Sequence, residues 1–428
     1  MFATIKQIFN PKNKDIRNRI LFTFLCLFIF KLGTAIIVPG IDQNKLGTNG
    51  LGFLELLNVM GGGAMGKFSI FALGVGPYIT ASIVIQLLSN DVIPYLSELS
   101  KQGGVGRNKL NQITRIVGIV LAFIQGYIYS FYYMKDSAFA AIDYVTFSLI
   151  LTAGTCLLMW IGDRITAKGV GNGMSLIIMA GILSSIPTMF VTAFNSLVQE
   201  GSTQVMALGI AKFALFVIIY IAIIVGIIYE QSAERRIPVQ YANKSNSSFG
   251  GRQNYVPFKL NSAGVIPVIF ASILLTIPGI IGQLVNKPEF TLFIEKYLNY
   301  STGTGFVLYI ILIFAFTYLY TFMQIKPSDM SESLQQNGGY IPGIRPGVET
   351  TNYITKVLKR ITLVGAFFLS ILAAMPIVFS MITDLPTTVT IGGTGLLIVV
   401  GVALETWKQI ESDLLSKNYK KGYKLWLI

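Results

Sequence analysis

Ten stretches of this chain run for about 20 residues with few polar interruptions, enough to cross a hydrocarbon core of about 30 Å at about 1.5 Å per helical residue. They lie at residues 20–38, 69–89, 113–133, 144–162, 174–194, 207–229, 262–285, 304–324, 361–382 and 391–409. The apolar runs are long and alternating ten-residue strands are absent, so the pattern predicts helices and not a β-barrel. The expected class is therefore an all-α polytopic membrane protein with ten transmembrane helices. An even number of spans puts both ends of the chain on one side. The first span follows a positive stretch but has no small-residue cleavage site in the usual place, and nine spans follow it, so it reads as a retained helix. Ahead of it, Phe2, Ile5 and Phe9 recur at helical spacing. That spacing suits a short helix on the inner leaflet as well as an ordinary basic flank.

Composition agrees with the pattern. Only 12% of the 428 residues are charged and 53% are hydrophobic, and the mean hydropathy is +0.64. A water-soluble surface needs about twice that charge. Histidine is absent and the two cysteines, Cys26 and Cys156, lie in apolar runs. Histidine-dependent enzymes and Cys/His metal sites are thereby excluded, and no cofactor is expected. The basic residues set the direction. With the N-terminus inside, 26 of the 33 Lys and Arg fall in cytoplasmic segments, as retention of positive charge demands. Both termini are expected in the cytoplasm, and the chain in the cytoplasmic membrane.

The connections carry further signals. The outer segment 40–68 holds an apolar half-helix (51–60) followed by Gly61, Gly62 and Gly63. It is too short to span. It fits an interfacial helix, or irregular backbone at membrane depth packed inside protein. Two cytoplasmic loops are long, 230–260 and 326–357, and rich in Arg, Lys, Gly and Pro. In the second, two Pro-Gly turns bracket Arg345 and should hold its backbone in a fixed bend. A rigid basic projection suits an anionic partner, although positive charge there also serves topology. None of the 20 acidic residues lies mid-span; Glu230 and Glu405 come nearest, at cytoplasmic ends. Proton relays and cation-coupled transport normally require such a carboxylate. The interior offers instead two i, i+4 apolar pairs, Val75/Ile79 and Met174/Ile178, a spacing usually due to ordinary helix packing.

Several longer motifs are specific. Ser69-Ile-Phe-Ala-Leu-Gly-Val-Gly-Pro-Tyr78 and its continuation to Leu88, Gly171-Asn-Gly-Met-Ser175, Arg235-Arg-Ile-Pro-Val-Gln-Tyr241, Leu260-Asn-Ser-Ala-Gly-Val-Ile-Pro267, Ile341-Pro-Gly-Ile-Arg-Pro-Gly347 and Gly392-Gly-Thr-Gly395 run in order along the whole chain. Together they resemble the bacterial SecY family, central subunits of a protein-conducting channel. The resemblance implies two inverted, pseudo-symmetric five-helix halves around a central pore, 1–200 and 201–428. It implies a pore ring of Val75, Ile79, Met174, Ile178, Ile269 and Ile398. A plug at about 50–66 would include Phe53, Leu54, Leu56, Leu57, Val59, Met60, Gly61, Gly62, Gly63 and Met65. A lateral gate between the second and seventh spans would include Thr80, Ile83, Gln86, Asn261 and Ala271. Contacts to a motor or ribosome would use Arg345, Arg235, Arg236 and Arg252. The stretch Asn243–Arg252 is shorter and less basic than usual, which weakens the transfer to Arg252.

The function implied is passage of unfolded secretory polypeptides across the membrane and sideways release of apolar segments into lipid. The physics suits it, because an apolar constriction excludes ions by dewetting yet prefers no side chain. No nucleotide-binding motif is present, so energy must come from a partner. The family supplies SecA or the ribosome, with SecE and SecG as companion subunits, preproteins and signal sequences as cargo, and membrane lipids as surroundings. A secondary transporter would need a buried charged site, and a scaffold or insertase would not need a plug and ring. An accessory paralogue dedicated to a few substrates stays open on sequence alone.

Overall fold

The computed structural model describes residues 13–41, 58–59, 61–90, 92–133, 140–198, 203–241, 254–285, 288–298, 302–383 and 387–425. The amphipathic stretch of Phe2, Ile5 and Phe9 lies outside them. In chain order the helices are α1 (Lys14–Gly33), α2 (Gly76–Ser89), α3 (Pro94–Lys101), α4 (Gly103–Tyr133), α5 (Ala141–Lys168), α6 (Gly173–Leu197), α7 (Thr203–Ser232), α8 (Ile266–Val285), α9 (Pro288–Tyr297), α10 (Gly303–Gln324), α11 (Pro327–Gln336), α12 (Val348–Thr383) and α13 (Thr387–Leu425). Each of the ten sequence-predicted spans coincides with one of them. Among the described residues, six helices are long and apolar enough to cross a membrane.

The second predicted span begins later than its hydropathy suggests. Regular helix starts at Gly76, not at residue 69. Pro77 sits in the first turn, where its missing N–H costs nothing, and Gly74 ahead of it takes φ +56°. Residues 61–75 form a chain of turns. Such backbone survives at membrane depth only inside protein, and here all of it but Gly66 and Lys67 is buried or partly buried. Phe68, Ser69 and Ala72 are fully buried. Ile70 N–H donates to Ile36 O at 2.9 Å and Val38 N–H to Phe68 O at 3.1 Å. The helix α5 comes so close that a Cβ on Gly154 would lie 2.0 Å from Ile70 O. Phe68 itself holds a left-handed backbone (φ 48°), kept there by its buried ring stacked 4.9 Å from Tyr129.

Several helices outrun their predicted spans, among them α4 and α12 at their N-terminal ends. The extra turns of α4 carry Arg107 and Lys109, and those of α12 carry Ile354 and Leu358. Hydropathy marks where lipid begins, not where a helix ends. The second long loop also contains α11, and the two loops meet in a three-stranded antiparallel sheet of order β2–β1–β3. Its strands are β1 (Glu234–Tyr241), β2 (Asn254–Lys259) and β3 (Gly339–Tyr340). In β1 the buried positions Ile237 and Val239 alternate with exposed ones, the period-2 signature of a half-buried strand. Ile237, Val239 and Phe258 pack with Leu334, Ile341, Ile354 and Leu358 into a small core of their own. This platform between helices was not foreseen as folded structure.

Candidate functional site: a central apolar constriction

Four helices bring the six ring candidates together. Val75 is the residue from which α2 starts, and Ile79 N–H donates to its carbonyl at 3.1 Å, which places both side chains on one face. Asn172 caps α6 by accepting from Met174 N–H at 3.1 Å and Ser175 N–H at 3.5 Å. Gly173 N–H donates to Thr166 Oγ1 at 2.8 Å, pinning the start of α6 to α5. Met174 and Ile178 therefore leave α6 one turn apart on a helix end with a fixed origin. Ile269 comes from the first turn of α8, whereas Ile398 comes from α13.

Val75, Ile178 and Ile398 are buried, Ile79, Met174 and Ile269 are partly buried, and all six belong to one continuous apolar cluster. Among the described residues, those after position 201 that join this cluster are Val265, Ile269, Ile398, Val399 and Val402. Within this cluster, the parts of the chain before and after position 201 thus meet through a handful of branched apolar side chains. Met174 makes the contact pliable, because its thioether lies over Gly162, where a Cβ would come within 2.7 Å of the sulfur.

Of the plug candidates, Phe53, Leu54, Leu56, Leu57 and Met60 lie outside the described residues. Val59 lies in the same apolar cluster as the ring. The backbone behind it is tied by Gly62 N–H to Val59 O (3.0 Å), Gly63 N–H to Asn58 O (2.8 Å) and Gly66 N–H to Asn58 Oδ1 (2.9 Å). Gly62 takes φ +72° and lies against α6, where a Cβ would stand 3.2 Å from Gly181 Cα. A side chain there would be strained twice, by conformation and by contact. Beyond Gly61 and Gly63 the character changes. Met65 is fully buried in another cluster with Phe68 and Tyr129, whose hydroxyl donates to Met65 O.

The lateral-gate candidates do not bond to one another. Thr80 Oγ1 donates to Gly76 O at 3.1 Å and Gln86 Nε2 to Ser82 Oγ at 3.3 Å, both within α2. Ile83 is half-buried on the same helix. Asn261 precedes α8, is buried, and donates to Gly264 O at 2.9 Å. Ala271 is fully buried with Ile223, Leu369 and Leu397 in a different apolar core from the one that holds the ring.

The basic candidates divide as well. Arg252 lies outside the described residues. Arg235 is exposed on β1. Arg236 is occupied within the sheet: its guanidinium bonds Glu234 at 2.7 Å and stacks 4.8 Å over Tyr255, and the Glu234 bond holds its proton more firmly than usual. Arg345 is exposed, directly after the buried Ile341 and half-buried Ile344. Its backbone is braced by Thr350 Oγ1 donating to Arg345 O at 2.9 Å and Ser331 Oγ to Gly347 O at 2.8 Å. Sequence reasoning missed Asp163, which pairs with Arg115 at 2.8 Å and ties α5 to α4.

Comparison with known proteins fits this geometry. A family model described as SecY matches residues 69–407. The protein translocase subunit SecY of Halalkalibacterium halodurans is 46% identical over 433 residues, covering 98% of this chain and 99% of its own. That of Bacillus subtilis is 46% identical with the same coverage of both. Among solved structures, a protein-conducting channel superposes with a TM-score of 0.66 at 17% identity, covering 93% of this chain and 92% of its own. Sec61 from a canine ribosome–channel complex of the endoplasmic reticulum does so at 0.64 and 17%, with the same coverage. An all-helical polytopic fold, ten helices on the ten predicted spans and these relatives together establish that the chain belongs to the SecY family.

Proposed function

We propose that this chain forms the path by which unfolded polypeptides cross the cytoplasmic membrane, and the seam through which apolar segments leave it for lipid. The family is one of channel subunits and not of enzymes. The observation that carries the reading is the single apolar cluster in which Val75, Ile79, Met174, Ile178, Ile269 and Ile398 meet Val59. Branched and flexible apolar groups from four helices can part around any side chain and close again without water between them. A constriction of that kind blocks ions by dewetting and selects no substrate chemistry.

Val59 and the turn through Gly61–Gly63 act as the inner end of the plug, and α2 and α8 act as the gate. The halves are 1–200 and 201–428, and both termini face the cytoplasm. Arg345 is the docking residue for an energy source, its fork of donors suited to carboxylates or phosphate. The partners are a SecA motor and, in keeping with the ribosome complex of the canine Sec61 channel, the ribosome. SecE and SecG complete the complex. Thr80 and Gln86 spend their hydrogen bonds inside α2, which supports a gate that opens cheaply, since parting α2 from α8 breaks neither of them.

The test is a translocation intermediate stalled in proteoliposomes with a photo-cross-linker in mid-chain. Adducts should form at the six ring positions and be absent from exposed apolar sites such as Phe24 and Ile218. Labelling spread evenly over both sets would overturn the assignment.

A further inference from the structure

Glu230 stands apart from every role assigned so far. It lies near the end of α7, is 1% exposed, and neither carboxylate oxygen makes a close hydrogen bond to a described residue. The Asn261 side chain is its one weak hydrogen-bonding neighbour. Taking a carboxylate from water with so little compensation is among the costlier arrangements a fold can carry. Asn261 Nδ2 also donates to Gly264 O at 2.9 Å, and Asn261 Oδ1 is buried without a partner among the described residues.

The segment these residues flank leads directly into α8. Leu260 N–H donates to Ala233 O at 2.9 Å, just past the end of α7. On the other side, α12 comes so close at Gly365 that a Cβ would lie 2.5 Å from Leu260 O. At Gly264 the backbone turns left-handed, with φ +64° and no atom within 4 Å of where a Cβ would stand. One residue later, Val265 touches both large apolar cores, and Ile269 follows one turn on in the constriction. The order is therefore clamp, open glycine, then pore helix.

We propose that Glu230 and Asn261 form a polar latch beneath a hinge at Gly264, and that the latch sets the resting position of α8 and of Ile269. The buried carboxylate is an unfavourable element of the sealed state. Swinging the 261–265 segment away exposes it to water, so its charge biases α8 toward leaving the seal. This inference rests on α8 being a gate helix.

The experiment uses the full complex in proteoliposomes, with export of two reporters, one with an intact and one with a weakened signal sequence, normalised to channel abundance. Glu230→Gln removes the charge and keeps the shape. It should lower weak-signal export by about threefold or more and spare the intact signal, because a marginal ligand is the one that feels a shifted equilibrium. Glu230→Leu should act in the same direction. Asn261→Leu leaves the carboxylate facing an apolar group and should raise both weak-signal export and resting ion conductance. Weak-signal export by Glu230→Gln that equals or exceeds the parent's overturns the latch, as does a fall that disappears after normalisation to abundance. A parallel arm carries a cysteine at Ile83 with one at each position of 271–277 in turn. If oxidised, cross-linked channels insert membrane proteins normally, the gate reading fails, and the latch with it. If they are blocked while the Glu230 variants behave as the parent, the latch alone fails.

Discussion

The constriction and the sheet platform are both small apolar clusters, yet they are built in opposite ways. The constriction gathers one or two residues from each of four helices, three of its six side chains are only partly buried, and Met174 is among them. The platform closes a sheet and two helices around Ile237, Val239, Phe258, Ile354 and Leu358, cross-braced by side-chain bonds to loop carbonyls such as Gly347 O. The first arrangement can be parted without breaking a hydrogen bond. The second holds a backbone still. A seal for passing chains has to be chemically indifferent and compliant, whereas a docking point for a motor has to be specific and stiff. Arg345 lies on the stiff side and the six-residue ring on the compliant one.

The largest effect is expected where that stiffness meets charge. Arg345→Glu should abolish SecA-driven translocation into proteoliposomes, a loss of about tenfold or more, because reversing a charge at a docking contact both removes a pairing and adds a repulsion. Channel abundance and resting conductance should stay at parental values. Translocation at the parental rate would reduce Arg345 to one of several positive charges that retain the loop inside.

The compliant side should fail differently. Replacing Ile178 and Ile398 together by Asn puts two polar groups in the dry zone, and idle channels in planar bilayers should then conduct ions about tenfold above background as the constriction wets. Motor-driven export should continue. A silent bilayer would mean that the seal lies elsewhere.

How far the sequence foretold these two regions differs for a physical reason. Hydropathy and helical spacing located all ten helices and the Val75/Ile79 and Met174/Ile178 pairs, because lipid burial writes itself into composition. What those signals could not show is structure whose apolar content is averaged away. The strand β1 has only two buried alternating positions, Ile237 and Val239, in a stretch otherwise charged or polar, so a span-length window passes over it. Residues 69–75 are as apolar as a helix but are held as turns by Gly74, Pro77 and close contact with α5. The side on which Ala271 lies, toward Ile223 and Leu369, depends on the rotation of α8, which no periodicity within a uniformly apolar helix reveals. The two motifs that resemble the family most, around Arg345 and Asn261, are legible as motifs. Their physics (the braced loop, the buried Glu230) needs partners far away in the chain.

The plug sharpens the comparison, since it touches both a compliant and a fixed region. A deletion of 53–65 would take away Met65, which is fully buried with Phe68 and Tyr129, and should lower folded abundance. A deletion of 53–60 leaves the glycine turn and that core in place. It should raise export of a reporter with a defective signal by about threefold at unchanged abundance, as expected for the loss of a contact made only in the sealed state. Equal abundance for the two deletions would place Met65 with the movable part.

The smallest effect tests whether the platform's stiffness matters at all. Leu358 is 1% exposed and packs under the sheet from α12, far in sequence from the tip that carries Arg345. Leu358→Ala leaves every charge and every loop residue unchanged. Losing a buried leucine side chain costs about 2–5 kcal/mol where the surroundings cannot collapse into the space, and here the cost falls on a small core of the platform. The ten membrane helices do not share it, so the channel should still assemble and its resting conductance should match the parent's. The loop at 341–347 should gain some freedom, because Ile341 and Ile344 anchor it in the same cluster. Docking then has to freeze that added motion, at a small fraction of the about 1–2 kcal/mol that fully fixing one backbone residue costs. If stiffness serves docking, SecA-driven export should fall about twofold at limiting SecA and recover at saturating SecA, the mark of weakened binding with intact chemistry. A fall that persists at saturation would instead place the platform in the power stroke, and no fall at any concentration would mean that Arg345 works equally well from a loose loop.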